Sequence, residues 1–260
     1  MEIPKLGLGF WQIAKEDAKR VFIEGYEIGY RHFDTAIAYR NEEEIGQAIR
    51  ELKPKREDYW ITSKIPAEIK TYEGAKKAIE ESLARLGLDY LDLMLIHAPK
   101  PWPLMPLPGP RFHKGNLEVW KALVEAKKAG KIKNIGVSNF NINDLKNIMD
   151  NSDEPIYANQ IRVHIGHVPD KIIDFCHKNG ILVEAYSPLG IGRLLGNPTI
   201  EEIAKKNNVS PVRVCIKYAA LLGTIPLPRS KSYDHMKDNF HYEFELPSED
   251  KEALDKVSTL

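Results

Sequence analysis

The feature that most constrains this chain is an alternation repeated eight times, a short apolar run followed by a stretch with helical periodicity. The runs are LGLGF (6–10), RHFDTA (31–36), YWITSK (59–64), LDLMLIH (91–97), KNIGVS (133–138), YANQI (157–161), ILVEAYS (181–187) and TIPLP (224–228). Among them lie helix patterns such as EDAKRVFIEGYEIG, EEEIGQAIREL, YEGAKKAIEESLARLG, GNLEVWKALVEAKKAG, NINDLKNIMD, PDKIIDFCHKNG, TIEEIAKKNN and SYDHMKDNF. Several open on Asn, Asp or Thr, whose side chains cap helix starts, and close on Gly, which accepts the left-handed residue past a helix end. Apolar strands alternating with helices build a parallel sheet. Eight units in 260 residues predict an α/β fold, a (β/α)8 TIM barrel forming one domain over 1–260, with its active site at the C-terminal ends of the strands. No GxGxxG follows the first strand, so an open dinucleotide-binding sheet loses support.

Charge narrows the function. Thirty-seven basic residues balance thirty-seven acidic ones, so no net field recruits nucleic acid or an anionic membrane, and small-molecule chemistry is favoured. The first residues, MEIPKLGLGFW, lack the basic and apolar parts of a signal peptide, and no run of about 18 apolar residues appears. A cytoplasmic protein, a monomer or weak oligomer, is expected. Cys176 and Cys215 lack the close spacing of a zinc or redox pair and read as buried thiols.

In a barrel of this kind, polar residues at the C-terminal strand ends are the catalytic candidates. That filter selects Asp34 and Tyr39 after the second run, Lys64 closing the third, His97 closing the fourth, Ser138 and Asn139 after the fifth, Gln160 on the sixth and Tyr186 on the seventh. Singly, each has a structural alternative: a capping acid, a solvated lysine, a core histidine, a packing tyrosine. Together they suggest chemistry. Tyrosine loses its proton near pH 10, and a lysinium beside it lowers that value, so Tyr39 would act as an acid with Asp34 holding Lys64 charged. His97 would aim a substrate carbonyl while a hydride arrives at carbon. No side chain supplies hydride, so a cofactor must. Tyr186 offers a ring for stacking on a nicotinamide, and Ser138, Asn139 and Gln160 offer donors and acceptors for its carboxamide. The proline-rich APKPWPLMPLPGPRFHKG (98–115), placed after the fourth run, reads as a loop walling the pocket.

The motifs GLGFWQ, GYRHFDTAIAYRNEEEIGQAI, ITSKI, LARLGLDYLDLMLIHAP, GKIKNIGVSNF, ANQI, VEAYSPLG and IPLPRSKSYDHMKDNF occur in that order over nearly the whole chain. The ordered set resembles the aldo-keto reductases. The resemblance implies a metal-free barrel that reduces aldehydes or ketones with NADPH, with a tetrad of Asp34, Tyr39, Lys64 and His97. It implies nicotinamide contacts at Ser138, Asn139, Gln160 and Tyr186, a pyrophosphate-side loop from Ser187, Pro188, Leu189 and Gly190, and further cofactor contacts at Gly9, Phe10, Trp11, Asp34, Asp238 and Asn239. At the adenosine end it implies Arg229, Ser230 and Lys231, with His235 where the family often has Arg. NADPH is therefore expected to be preferred by a modest margin, with some NADH use.

The chain also departs from the family pattern. The first run starts at residue 6, so no hairpin plugging the barrel bottom is expected, and the sequence stops at Leu260, where many members continue into a loop over the substrate. Arg162, Val163 and Ile165 replace the usual Glu, Tyr and Pro, and Ala98 stands where Trp is frequent. An open substrate pocket walled by Trp11 and Trp102, beside Tyr39 and His97, is expected. Two other readings remain: a nicotinamide-binding sensor with little turnover, and a metal-dependent hydrolase using His164 and His167.

Overall fold

The computed structural model describes residues 2–105, 107–109 and 111–258. Its eight strands are β1 (Leu8–Gly9), β2 (His32–Asp34), β3 (Trp60–Ile65), β4 (Leu91–Ile96), β5 (Ile132–Ser138), β6 (Ala158–Arg162), β7 (Leu182–Tyr186) and β8 (Ile225–Leu227). They pair in parallel in chain order. The Gly7 and Gly9 N–H groups donate to the Pro226 and Pro228 carbonyls at 3.0 and 2.9 Å, which joins the first strand to the last. A (β/α)8 barrel results, and each expected run carries a strand.

The helices are α1 (Lys15–Ile28), α2 (Glu42–Leu52), α3 (Tyr72–Leu86), α4 (His113–Lys128), α5 (Ile142–Met149), α6 (Asp170–Lys178), α7 (Pro198–Lys206), α8 (Pro211–Leu221), α9 (Tyr233–Phe240) and α10 (Ser248–Asp255). Helix α5 starts at a reciprocal cap, with the Asn141 side chain accepting from the Asp144 N–H and Asp144 accepting from the Asn141 N–H. Helix α8 was not among the helical patterns above, because its alternating Val212, Val214 and Ile216 look strand-like. The Ser210 cap and Pro211 at the first turn start it, and burial of Val214, Cys215, Tyr218 and Ala219 on one stripe makes it helical. Both cysteines are free and buried.

Among the described residues, side chains fill the barrel bottom. Trp60 stacks on Tyr157 with ring centroids 6.0 Å apart, and Ile3 packs with Tyr157 against Trp60, Leu93, Leu95 and Ala158. Close backbone approach also shapes the barrel. A Cβ on Gly136 would fall 2.4 Å from the Ala158 carbonyl, so only glycine lets β5 lie against β6, the two strands that end in Ser138 and carry Gln160.

Candidate active site

Two buried polar anchors set the residues at the barrel mouth. Asn41 accepts from the Thr35 hydroxyl and donates to the Phe10 and Ile13 carbonyls, tying the loop after β1 to the turn Ile37–Tyr39 after β2. Glu42 accepts from Ser63 at 2.7 Å, Ser82 at 2.6 Å and Arg85 at 2.8 Å, locking β3 to α2 and α3 behind Lys64.

Lys64 is wholly buried. Its Nζ donates to both Asp34 oxygens at 2.8 Å and to the Thr35 carbonyl at 2.7 Å. Burial works to lower the Lys64 pKa, yet Asp34, Tyr39 and the direct bond outweigh it and leave the pKa raised, so the ammonium stays charged. The same Nζ lies 4.9 Å from the Tyr39 ring centroid. From the sequence alone, Lys64 is expected to lower the Tyr39 pKa. Here burial wins, assisted by the Asp34 charge, and pushes the phenol up to about 12 although Lys64 pulls the other way. Tyr39 is a firmly protonated donor rather than a phenol poised near neutrality.

His97 packs edge-on against Tyr39, centroids 5.6 Å apart, and against Trp102 at 5.1 Å. Burial, then the Lys64 charge, holds its pKa well below the usual value, so the ring is neutral. Its Nδ1 is buried without a partner, which favours the tautomer with the proton on Nε2, because a bare ring nitrogen costs less there than an orphan N–H.

These groups open onto a cavity of about 800 Å³. Of the expected site residues, Gly9, Trp11, Asp34, Tyr39, His97, Trp102, Ser138, Asn139, Gln160, Tyr186, Ser187, Pro188, Leu189, Arg229, Ser230, His235, Asp238 and Asn239 line it. Four do not. Lys64 lies beneath Asp34, Phe10 is a core residue with no exposure, Gly190 sits buried behind the loop, and Lys231 turns outward to Asp17 at 3.4 Å. Arg229 forms no ion pair among the described residues. Ala98 is also no wall: it is wholly buried and its carbonyl accepts from Lys70, while Trp102, Ala38, Ile191 and Leu195 line the cavity. Pro106 and Pro110 of the proline-rich loop lie outside the described residues.

The polar groups on the far side mostly present acceptors, not the mixture expected. Asn139 spends both N–H bonds on the His97 carbonyl and the Ser138 hydroxyl, and its Oδ1 accepts from the Tyr186 hydroxyl at 2.8 Å. Ser138 donates to the Gln160 carbonyl. Gln160 Nε2 donates to Asp34 Oδ1 at 2.8 Å and to Glu184 Oε2 at 2.9 Å, which turns the amide oxygen toward the cavity.

Glu184 was missed, although an acid amid the apolar ILVEAYS run was a signal, since strands of a parallel barrel are buried on both faces. It has no exposure, and burial with the nearby Asp34 charge pushes its carboxyl up to about 8 despite Gln160 and Lys64. His164 and His167 form a backbone bridge with rings 5.4 Å apart. No group of three or more His, Cys, Asp or Glu among the described residues could hold a metal ion. No helix among them is long and apolar enough to cross a membrane.

A model of the aldo/keto reductase family matches residues 5–259. The chain belongs to that family. This aldo/keto reductase is 38% identical to glycerol 2-dehydrogenase (NADP(+)) of Saccharomyces cerevisiae, covering 99% of this chain and 88% of the relative. It is 36% identical to glyoxal reductase of Bacillus subtilis, covering 99% and 90%. Among solved structures, an aldo-keto reductase from a Medee basin deep-sea metagenome superposes with a TM-score of 0.91 at 35% identity, covering 99% and 92%. The Brucella melitensis aldo/keto reductase gives 0.89 at 36%, covering 98% and 95%. The protein is an oxidoreductase of this family.

Proposed function

We propose that this aldo/keto reductase reduces aldehydes and small ketones to alcohols with NADPH, Tyr39 donating the proton. The observation that carries the reading is the meeting of a protonated phenol and a neutral imidazole at the cavity floor, above a buried ammonium–carboxylate pair. The hydride that reaches the carbonyl carbon would come from a reduced nicotinamide held against Tyr186, Ser138, Asn139 and Gln160. The chain's residues do the rest. His97 offers Nε2–H to the carbonyl oxygen and aims it, and Tyr39 gives up its proton as negative charge grows there. Lys64 offsets the cost of the resulting phenolate, which the buried site otherwise opposes.

The residues also fit the cofactor. A cavity of about 800 Å³ can hold a nicotinamide and a small substrate together. Ser138, Asn139 and Gln160 offer acceptor atoms suited to a carboxamide NH2, and Tyr186 is held by Asn139 as a flat wall. At the other end, Arg229 and Ser230 stand near the start of α9, where an anion such as the 2′-phosphate is favoured. The names of the two relatives suggest beginning with dihydroxyacetone, glyoxal and methylglyoxal among a wider aldehyde panel. Loss of NADPH absorbance with the matching alcohol formed supports the reading. No turnover on any carbonyl, with NADPH bound, would leave a nicotinamide-binding protein instead.

A further inference from the structure

Glu184 is a wholly buried charge-bearing group that the proposed reduction does not use. It lies on β7 directly below the reacting groups, and the molecule surrounds it closely. From β6 it meets the Gln160 amide, from β2 Asp34 and His32, from β3 Lys64, and at the start of β6 Tyr157. His32 is itself neutral, since burial and then Lys64 push its pKa to about 3.

Two observations bear on where protons sit. One amide nitrogen, Gln160 Nε2, bridges Asp34 and Glu184 at 2.8 and 2.9 Å, so two carboxyl groups share one amide beside one ammonium. Like charges that close in a dry interior cannot both ionise cheaply, and Lys64 already binds both oxygens of Asp34. The second observation is Glu184 Oε1, buried without a hydrogen-bond partner, 3.3 Å from His32 Nε2. A bare carboxylate oxygen there would be an orphaned charge. A hydroxyl there, donating toward a neutral imidazole nitrogen that also meets the Thr62 hydroxyl at 3.1 Å, gives the buried Oε1 a partner.

We propose that Glu184 is a positioning residue held as the neutral acid, with its proton on Oε1 directed at His32 Nε2, so that the Lys64 charge is matched by Asp34 alone. Ionising Glu184 places a second negative charge under the cluster, tightens the hold of Tyr39 on its proton and slows reduction. The kinetic part rests on the carbonyl-reduction reading above. The protonation itself does not.

The test has two arms on the whole protein. In the first, kcat for a poor aldehyde, with chemistry made limiting and checked by a deuterated cofactor, is followed from pH 6.5 to 9.5 for wild type and Glu184→Gln. Wild-type kcat should fall about tenfold through a break near pH 8, since one pKa unit on the acid is a factor of ten. The ratio of high-pH to neutral kcat in Glu184→Gln should stay within twofold of one, because an amide cannot ionise. An equal fall in both proteins overturns the proposal. In the second arm, infrared spectra of cofactor-free protein are titrated over the same range. A protonated-carboxyl carbonyl band that disappears with the same midpoint, and that Glu184→Gln lacks, supports it. Absence of that band in wild type at pH 6.5 overturns it, even if no carbonyl is turned over or the variant fails to fold.

Discussion

Replacing Lys64 by methionine separates what the buried cation does for the fold from what it does for chemistry. Lys64 Nζ makes contacts of 2.8, 2.8 and 2.7 Å to Asp34 and the Thr35 carbonyl, with no exposure. Removing it leaves the Asp34 carboxylate buried and short of its cation, and breaking one side of such a pair costs about 3–5 kcal/mol. In a chain of 260 residues that is a fall in Tm of roughly 6–15 °C. Adding Asp34→Asn removes the stranded charge, and a neutral pair of similar volume should restore most of the loss, a coupling of about 2 kcal/mol or more. Turnover should behave differently. Both Lys64→Met and the double variant lose the cation that sits 4.9 Å from the Tyr39 ring, so kcat should stay depressed on the order of 100-fold or more in each. Urea unfolding at neutral pH gives the stability cycle, and stopped-flow NADPH oxidation gives the rates. Strictly additive destabilisation by the two substitutions would refute the buried-pair argument, and wild-type turnover in Lys64→Met would refute the role of the charge.

Tyr39→Phe removes the proposed proton donor but little surface, so turnover should drop by a factor on the order of 100 or more while NADPH affinity, read by fluorescence titration, stays nearly constant. Arg229→Ala should raise the NADPH Kd about ten- to a hundredfold and leave that for NADH almost unchanged, since a hydrogen bond to a charged group contributes roughly 1.5–3 kcal/mol; equal weakening of both would show that Arg229 does not read the 2′-phosphate. Stability should respond to pH through two buried groups of opposite sign. His32, with a pKa lowered from 6.5 to about 3, contributes stability present above 6.5 and lost as pH falls toward 3, whereas Glu184, raised from 4.5 to about 8, contributes stability present below 4.5 and lost as pH rises toward 8. Their slopes cancel between those unfolded-state values, so urea titrations of Glu184→Gln should show a loss of about 1.4 kcal/mol per pH unit on acidification from pH 6.5 to 4.5 that wild type lacks. Parallel stability profiles in the two proteins would refute that balance.

The barrel was legible in the sequence because its cause is local: each apolar run is short, each following stretch repeats near 3.6 residues, and capping residues mark the helix starts. Strand ends could therefore be read, and Asp34, Tyr39, Lys64 and His97 fall together because parallel strands place all their C-terminal ends on one face. Properties set by what surrounds a side chain needed the folded molecule. Phe10 and Ala98 belong to the interior, and Lys231 turns to Asp17, because direction depends on neighbours distant in the chain. Closure of the barrel bottom by Ile3, Trp60 and Tyr157 joins residues from separate units, which no spacing rule connects. The sign of the Tyr39 shift is the clearest case. Proximity to Lys64 could be inferred from strand order, but whether attraction by that charge or loss of water prevails depends on burial, and burial is a property of the whole packed barrel. Glu184 follows the same logic: the sequence shows an acid in a strand, and only strand pairing around the closed barrel brings it to Gln160, Asp34 and His32.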